Sequence, residues 1–243
     1  MPSVTKKRVR KIKDDSNEQA LLFLFFWGAV LVESIALYKR TYLVYGIARM
    51  FVVPVLLLRI FRSPGYRDIG MYFFFFLALS FFADALTAFG NYSLASIGLS
   101  LYSLGYLCLG CWFQHLKNNH YSNLIFITTL LLLAMLHTLW MYAPELHRQT
   151  LIALVGVHCL SILYAVYGAL SIYGKNNPSL FLSGVAAIVF TNLLYGIDML
   201  HYHQTHSWLD ALVGFGNGMY LFLLTKGVLR IEKKPLLANI DFN

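Results

Sequence analysis

Eight apolar runs, each long enough to cross a bilayer and separated only by short polar pieces, leave this chain no room for a soluble domain. They occupy 20–37, 41–61, 68–90, 92–115, 122–143, 149–173, 179–201 and 208–230, and a hydrocarbon core of about 30 Å takes about 20 helical residues. The reading is an all-α polytopic membrane protein: a basic tail at 1–19, an eight-helix transmembrane bundle at 20–230 and a second tail at 231–243. Only 12% of the 243 residues are charged, against roughly 25% in a soluble domain. The basic stretch before the first run could pass for the start of a signal peptide. However, Ala20–Leu37 is longer than the roughly 7–15 residues of a signal core, and no small-x-small cleavage site ends it.

The 19 Lys and Arg outnumber the 11 Asp and Glu. With both termini inside, fifteen of the basic residues fall on the cytoplasmic side and three (Lys39, Arg40 and Arg148) on the other, while Arg49 lies within the second run. The expectation is a multi-pass protein of the cell membrane with both termini cytoplasmic. The excess charge then reads as topology and contact with anionic lipid. No groove-reading or RNA-binding motif is present, so nucleic acid is not an expected partner.

Orientation sorts the polar residues by depth. Glu33, Asp84 and His137 come late in outward-running segments, and Arg49 and His158 come early in inward-running ones. Asn192 and Asp198 occupy the outer half of the seventh run, Asp210 and Asn217 that of the eighth. Nearly every ionisable group away from a cytoplasmic end therefore falls in one slab, which predicts a water-accessible polar cavity opening outward. Asp84 is the sharpest member, set in MYFFFFLALSFFADALTAFGN (71–91). A lone carboxylate there costs at least about 2.5–3.5 kcal/mol. A partner cation, a hydrogen-bond network, a proton or access to water must offset that cost.

Each residue also has a plainer reading. Arg49 with Glu33 or Asp84 could be a structural ion pair, Asp198 and Asp210 could reach the interface, and His137 and His158 could be satisfied core histidines. Cys108, Cys111 and Cys159 lie in apolar runs, and an odd set argues against a disulfide framework. His201, His203 and His206 match no closed metal-site spacing, so no metal and no cofactor are expected. Lys226 reads as an anchor near the cytoplasmic end. Trp140, Tyr142 and Trp208 read as an interfacial belt.

A weak internal echo, which chance similarity would equally explain, sets Ala83–Ala88 beside Thr191–Gly196 and Ser103–Leu107 beside Asn217–Leu221. Four segments separate the copies, as a 4+4 parallel repeat requires.

Four short pieces resemble the YhhN family of integral membrane lysoplasmalogenases. They are Arg49–Pro54, Ser80–Asp84 with Leu86, Leu104-Gly105-Tyr106, and Phe190-Thr191-Asn192 with Leu193-Leu194; Gly216-Asn217 stands at the amide-bearing site of the last helix. The family's Lys before Pro54 is Val53 here, its Gly before the aspartate is Ala83, its helix-4 His is Tyr106, and its second aspartate is Asn192. Asp84 stands intact.

The resemblance implies an eight-helix fold and cleavage of the vinyl ether bond of a lysophospholipid, giving a fatty aldehyde and a glycerophospho-base. Such chemistry starts with proton transfer to the alkene carbon, so it needs a carboxylic acid held protonated and a second group to orient water. On this reading Asp84 is the acid. Asn192 orients water, with Asp198 or Glu33 as a stand-in for the missing carboxylate, and Arg49 is free to hold a phosphate. Glu33, Tyr106 and Asn217 would line the substrate. The competing expectation is a non-enzymatic lipid-binding receptor or small transporter of the same fold.

Overall fold

The structure, a computed structural model, describes residues 3–63, 70–89, 92–116, 122–172, 178–200 and 207–231, and of residues 3–17, 88–89, 92–93, 95, 122–124, 144, 178, 197–200, 207 and 231 the backbone alone. It is all-helical: α1 (Ser3–Tyr38), α2 (Tyr42–Phe61), α3 (Met71–Phe89), α4 (Tyr92–Leu116), α5 (Ser122–Tyr142), α6 (His147–Ser171), α7 (Pro178–Leu200) and α8 (Ser207–Ile231). A single 3₁₀ turn, Pro144–Leu146, joins α5 to α6.

Seven of these helices are long and apolar enough to cross a membrane among the described residues. The eighth, α3, is shorter; its 19 residues reach about 28 Å at 1.5 Å each, close to the thickness of the hydrocarbon core. Helix α1 runs as one helix from Ser3, so the basic segment read as a tail is helical from that residue. Ser3–Trp27 contains neither Gly nor Pro and carries four Lys, two Arg and three Leu, so nothing in it stops a helix. Its 36 residues make about 54 Å, far more than a bilayer core takes.

Seven helices close a ring in the order α1, α2, α3, α4, α6, α7, α8, and α5 packs outside it on α4 and α6. Helix α4 is the most buried and α5 the least. Adding four to each helix number maps the principal packing pairs onto one another: α1–α2 onto α5–α6, α2–α3 onto α6–α7, α3–α4 onto α7–α8, α4–α6 onto α8–α2, and α1–α8 onto α5–α4. The spatial order thus follows the four-helix offset of the sequence echo.

The core is aromatic and small-residue packed. Phe73, Phe76, Tyr106, Trp112, Phe113, Phe181 and Tyr220 are buried. Two glycines let α8 approach its neighbours: a Cβ on Gly218 would lie 2.5 Å from Val30 Cγ2 of α1, and one on Gly216 would lie 2.2 Å from Thr191 Oγ1 of α7. Small residues at such crossings are what association in lipid favours, since apolar burial offers no drive between helices there.

Two expectations change. Cys108 and Cys111 are buried, but Cys159 is on the outer surface of the bundle. Tyr142 and Trp208 are exposed, whereas Trp140 is buried beneath His147, whose ring stacks on it at 4.4 Å and whose Nε2 meets the Trp140 carbonyl at 2.8 Å. The α5–α6 turn folds His147 back over the indole, so Trp140 is not part of a lipid-facing belt. His201, His203 and His206, and the basic residues Arg67, Lys117, Lys175, Lys233 and Lys234 used for orientation, lie outside the described residues.

Candidate functional site

Arg49 stands on the buried face of α2 with Val52, Val53 and Leu56. Its guanidinium gathers groups from four other helices. Nη1 donates to Glu33 Oε1 of α1 at 2.7 Å, and Nη2 donates to Asp84 Oδ1 of α3 at 2.5 Å and to the Tyr102 hydroxyl of α4 at 2.6 Å. With its amide turned so that the oxygen faces the guanidinium, Asn217 of α8 accepts from Nη2 at 3.0 Å and from Nη1 at 3.1 Å; such an orientation is assigned from the hydrogen-bond pattern. The Tyr102 hydroxyl in turn donates to Asp84 Oδ1. Glu33, Arg49 and Asp84 are 1%, 4% and 3% exposed, so this is an ionic centre inside the bundle. The Tyr45 ring lies under the guanidinium carbon at 5.5 Å.

This arrangement supplies two of the four compensations that a carboxylate in hydrocarbon requires, a cation and a hydrogen-bond network. It also leaves little of Arg49 for a phosphate: both Nη atoms are engaged by the protein, and only Nε lacks a partner among the described residues. The fork geometry of arginine, with donors on separate nitrogens, is what allows one side chain to hold two carboxylates at once.

A second, uncharged centre lies beside the first. His158 of α6 meets Asn192 Oδ1 of α7 through Nε2 at 2.9 Å and Ser103 Oγ of α4 through Nδ1 at 3.1 Å. Asn192 Nδ2 donates to the Ile188 carbonyl at 2.9 Å and to the Tyr106 hydroxyl at 3.3 Å. With both Asn192 Nδ2 protons committed, His158 Nε2–H donates to Oδ1, and the single Ser103 hydroxyl proton is shared between His158 Nδ1 and the Leu99 carbonyl 2.8 Å away. Further out, His137 Nε2 meets Ser100 Oγ at 2.7 Å. The two centres touch through the Tyr102 and Tyr106 rings, stacked with centroids 6.4 Å apart.

The four-helix offset reappears in this chemistry. Arg49 of α2 binds Asp84 of α3 and Asn217 of α8, and His158 of α6 binds Asn192 of α7 and Ser103 of α4. One half carries ions and the other carries dipoles.

The sequence-based candidates Glu33, Arg49, Asp84 and Asn217 meet in the ionic centre, and Asn192 and Tyr106 meet in the neutral one. The side chain of Asp198 lies outside the described residues. Sequence reasoning did not single out Tyr102 or Ser103, and it gave His158 no partner. Tyr102 and Tyr106 stand one helical turn apart in an otherwise apolar run, which is the signal that marks this face of α4.

Between α6 and α7 runs an apolar groove of about 490 Å³, lined on α7 by Leu182, Val185, Val189 and Leu193 and on α6 by Val166 and Leu170. Phe190 and Leu193 of α7 and Leu170 of α6, which line it, are exposed, so the groove lies on the outer side of the α6–α7 seam, with Asn192 on the adjoining inner face of α7.

Fold and site together define a polytopic helical membrane protein with a buried ionic centre. No protein-family model, no curated protein and no solved structure matches the chain.

Proposed function

We propose that this protein is a membrane-embedded hydrolase that cleaves the vinyl ether bond of lysoplasmalogen-type lipids. The observation that carries the reading is the pair of buried carboxyls, Glu33 and Asp84, held on one guanidinium. Acid cleavage of an enol ether needs a proton donor in an apolar setting and a charge nearby to offset the cation that forms, and this pair offers both.

The reaction balances with water alone. A carboxyl proton goes to the alkene carbon remote from oxygen, and the C=C electron pair forms the new C–H bond, leaving an oxocarbenium ion. Water adds to the carbon bearing oxygen and returns a proton to the carboxylate, and the hemiacetal collapses to a fatty aldehyde and a glycerophospho-base. Asn192, fixed by His158 and Tyr106, orients the water. The free Nε of Arg49 takes a substrate oxygen, with Asn217 holding the guanidinium in place. The alkenyl chain lies along the apolar groove of α6 and α7. Membrane lipids surround the bundle, and a lysophospholipid is the substrate class. The protein is placed in the cell membrane with both termini cytoplasmic on the charge bias.

Purified protein incubated with lyso- and diacyl-type vinyl ether lipids should release fatty aldehyde detectable by mass spectrometry. Binding of these lipids without aldehyde would favour a receptor of the same fold, and proton-gradient-dependent flux in liposomes would favour a transporter.

A further inference from the structure

We infer that Glu33, and not Asp84, carries the transferable proton of the ionic centre. The catalytic part of this inference rests on the hydrolase reading above; the protonation itself does not.

The argument is first one of charge. With both carboxyls ionised, Glu33, Asp84 and Arg49 sum to one uncompensated negative charge, in a place where all three side chains are at most 5% exposed. Asn217 and Tyr102, the other groups on the guanidinium, are neutral. One proton on the pair cancels the excess, and burial without a counter-charge is what a membrane interior penalises.

The hydrogen bonds then assign the proton. Asp84 Oδ1 accepts from Arg49 Nη2 and also from the Tyr102 hydroxyl. Two donors aimed at one oxygen stabilise the ionised form. Glu33 accepts a single bond, from Arg49 Nη1 to Oε1. Each carboxyl engages one oxygen and leaves the other, Oε2 or Oδ2, without a partner among the described residues, so either could carry an O–H; the donor count, two on the aspartate against one on the glutamate, makes Asp84 the anion and Glu33 the acid. Asp84 becomes the fixed counter-ion of Arg49. Glu33 is left with an O–H that no described residue holds.

The titratable and charged groups facing Glu33 among the described residues come from four helices. Arg49 and Tyr45 come from α2, Asp84 from α3 and Tyr102 from α4. From α8 the contact is the backbone at Gly214, where a Cβ would lie 3.5 Å from Glu33 Oε1, and Asp210 stands one turn earlier on that helix. None of these adds a second cation to neutralise the pair.

Infrared spectra of the purified protein at neutral pH test the assignment, using carbonyl-labelled glutamate or aspartate incorporated separately. The expected result is a protonated-carboxyl band that shifts with the glutamate label, is unmoved by the aspartate label, and is lost in Glu33→Gln. A band that follows the aspartate label, or no such band at all, overturns it, and neither result depends on a variant folding. In the turnover arm, Glu33→Gln should lose aldehyde release at least 100-fold while keeping its lipid binding. If the native protein cleaves no vinyl ether lipid but the band belongs to Glu33, the hydrolase reading fails and the protonation stands. If Glu33→Gln cleaves at the native rate, the catalytic part is overturned while the hydrolase reading survives.

Discussion

Tyr106 of α4 and Tyr220 of α8 meet edge to face with ring centroids 6.4 Å apart, and they occupy equivalent places in the two sequence pieces that echo each other. Both are buried to within 2% exposure. Around this contact the ionic centre and the neutral centre are arranged as counterparts, and that arrangement sets what substitutions should do.

Replacing Arg49 with Lys should destabilise the protein strongly. An ammonium is a point charge and cannot reach Glu33, Asp84 and Asn217 in separate directions, and disrupting a buried pair costs about 3–5 kcal/mol. Glu18→Gln is the control, since its bridge to Arg62 at 2.8 Å joins side chains 56% and 53% exposed and such pairs contribute under about 1 kcal/mol. Thermal unfolding in one detergent should separate the two variants clearly.

Asn192→Leu should cost about 1–3 kcal/mol, because it removes partners from His158 Nε2 and the Tyr106 hydroxyl in a buried setting. Denaturation midpoints measure this. A variant as stable as the native protein would mean that water replaces the amide.

Gly216→Ala should be destabilising by about 1–3 kcal/mol through overpacking, since the added methyl would collide with Thr191. Gly156→Ala meets nothing within 4 Å and should be neutral or stabilising by up to about 1 kcal/mol through helix entropy. Opposite shifts in melting temperature are the expected outcome.

Asp84→Asn should reduce aldehyde release by about 100-fold or more, because Glu33 then becomes the only carboxyl left to balance Arg49 and gives up the proton it would transfer. Single-turnover assays on folded protein, checked by lipid binding, measure the loss. The pH dependence should change as well, because Glu33 would then face Arg49 alone and ionise.

The sequence made the helices and the slab of polar residues legible because both follow from hydropathy and helical rise. Glu33, Arg49 and Asp84 stood out as charges in apolar runs. Tyr102 did not, since a tyrosine among leucines reads as packing until the face opposite it is known. His158 was visible as a buried polar group, but periodicity tells which face a residue takes and not which helix meets that face. The extent of α1 back to Ser3 was not legible from hydropathy, because the polar residues before Ala20 lie outside the apolar run while only Gly, Pro or a capping arrangement ends a helix reliably. The saturation of Arg49 depended on Asn217 arriving from α8, which no local pattern announces.

All three charged members of the ionic centre belong to α1, α2 and α3, and α8 adds only an amide and a glycine surface. During synthesis the acids and the guanidinium can therefore find each other as soon as the third segment enters the bilayer, well before the chain is finished. Biogenesis does not have to carry naked charges through lipid while it waits for the last helix. The late-arriving α8 seals a neutralised cluster, and a truncation after α4 should still insert those first segments in the membrane.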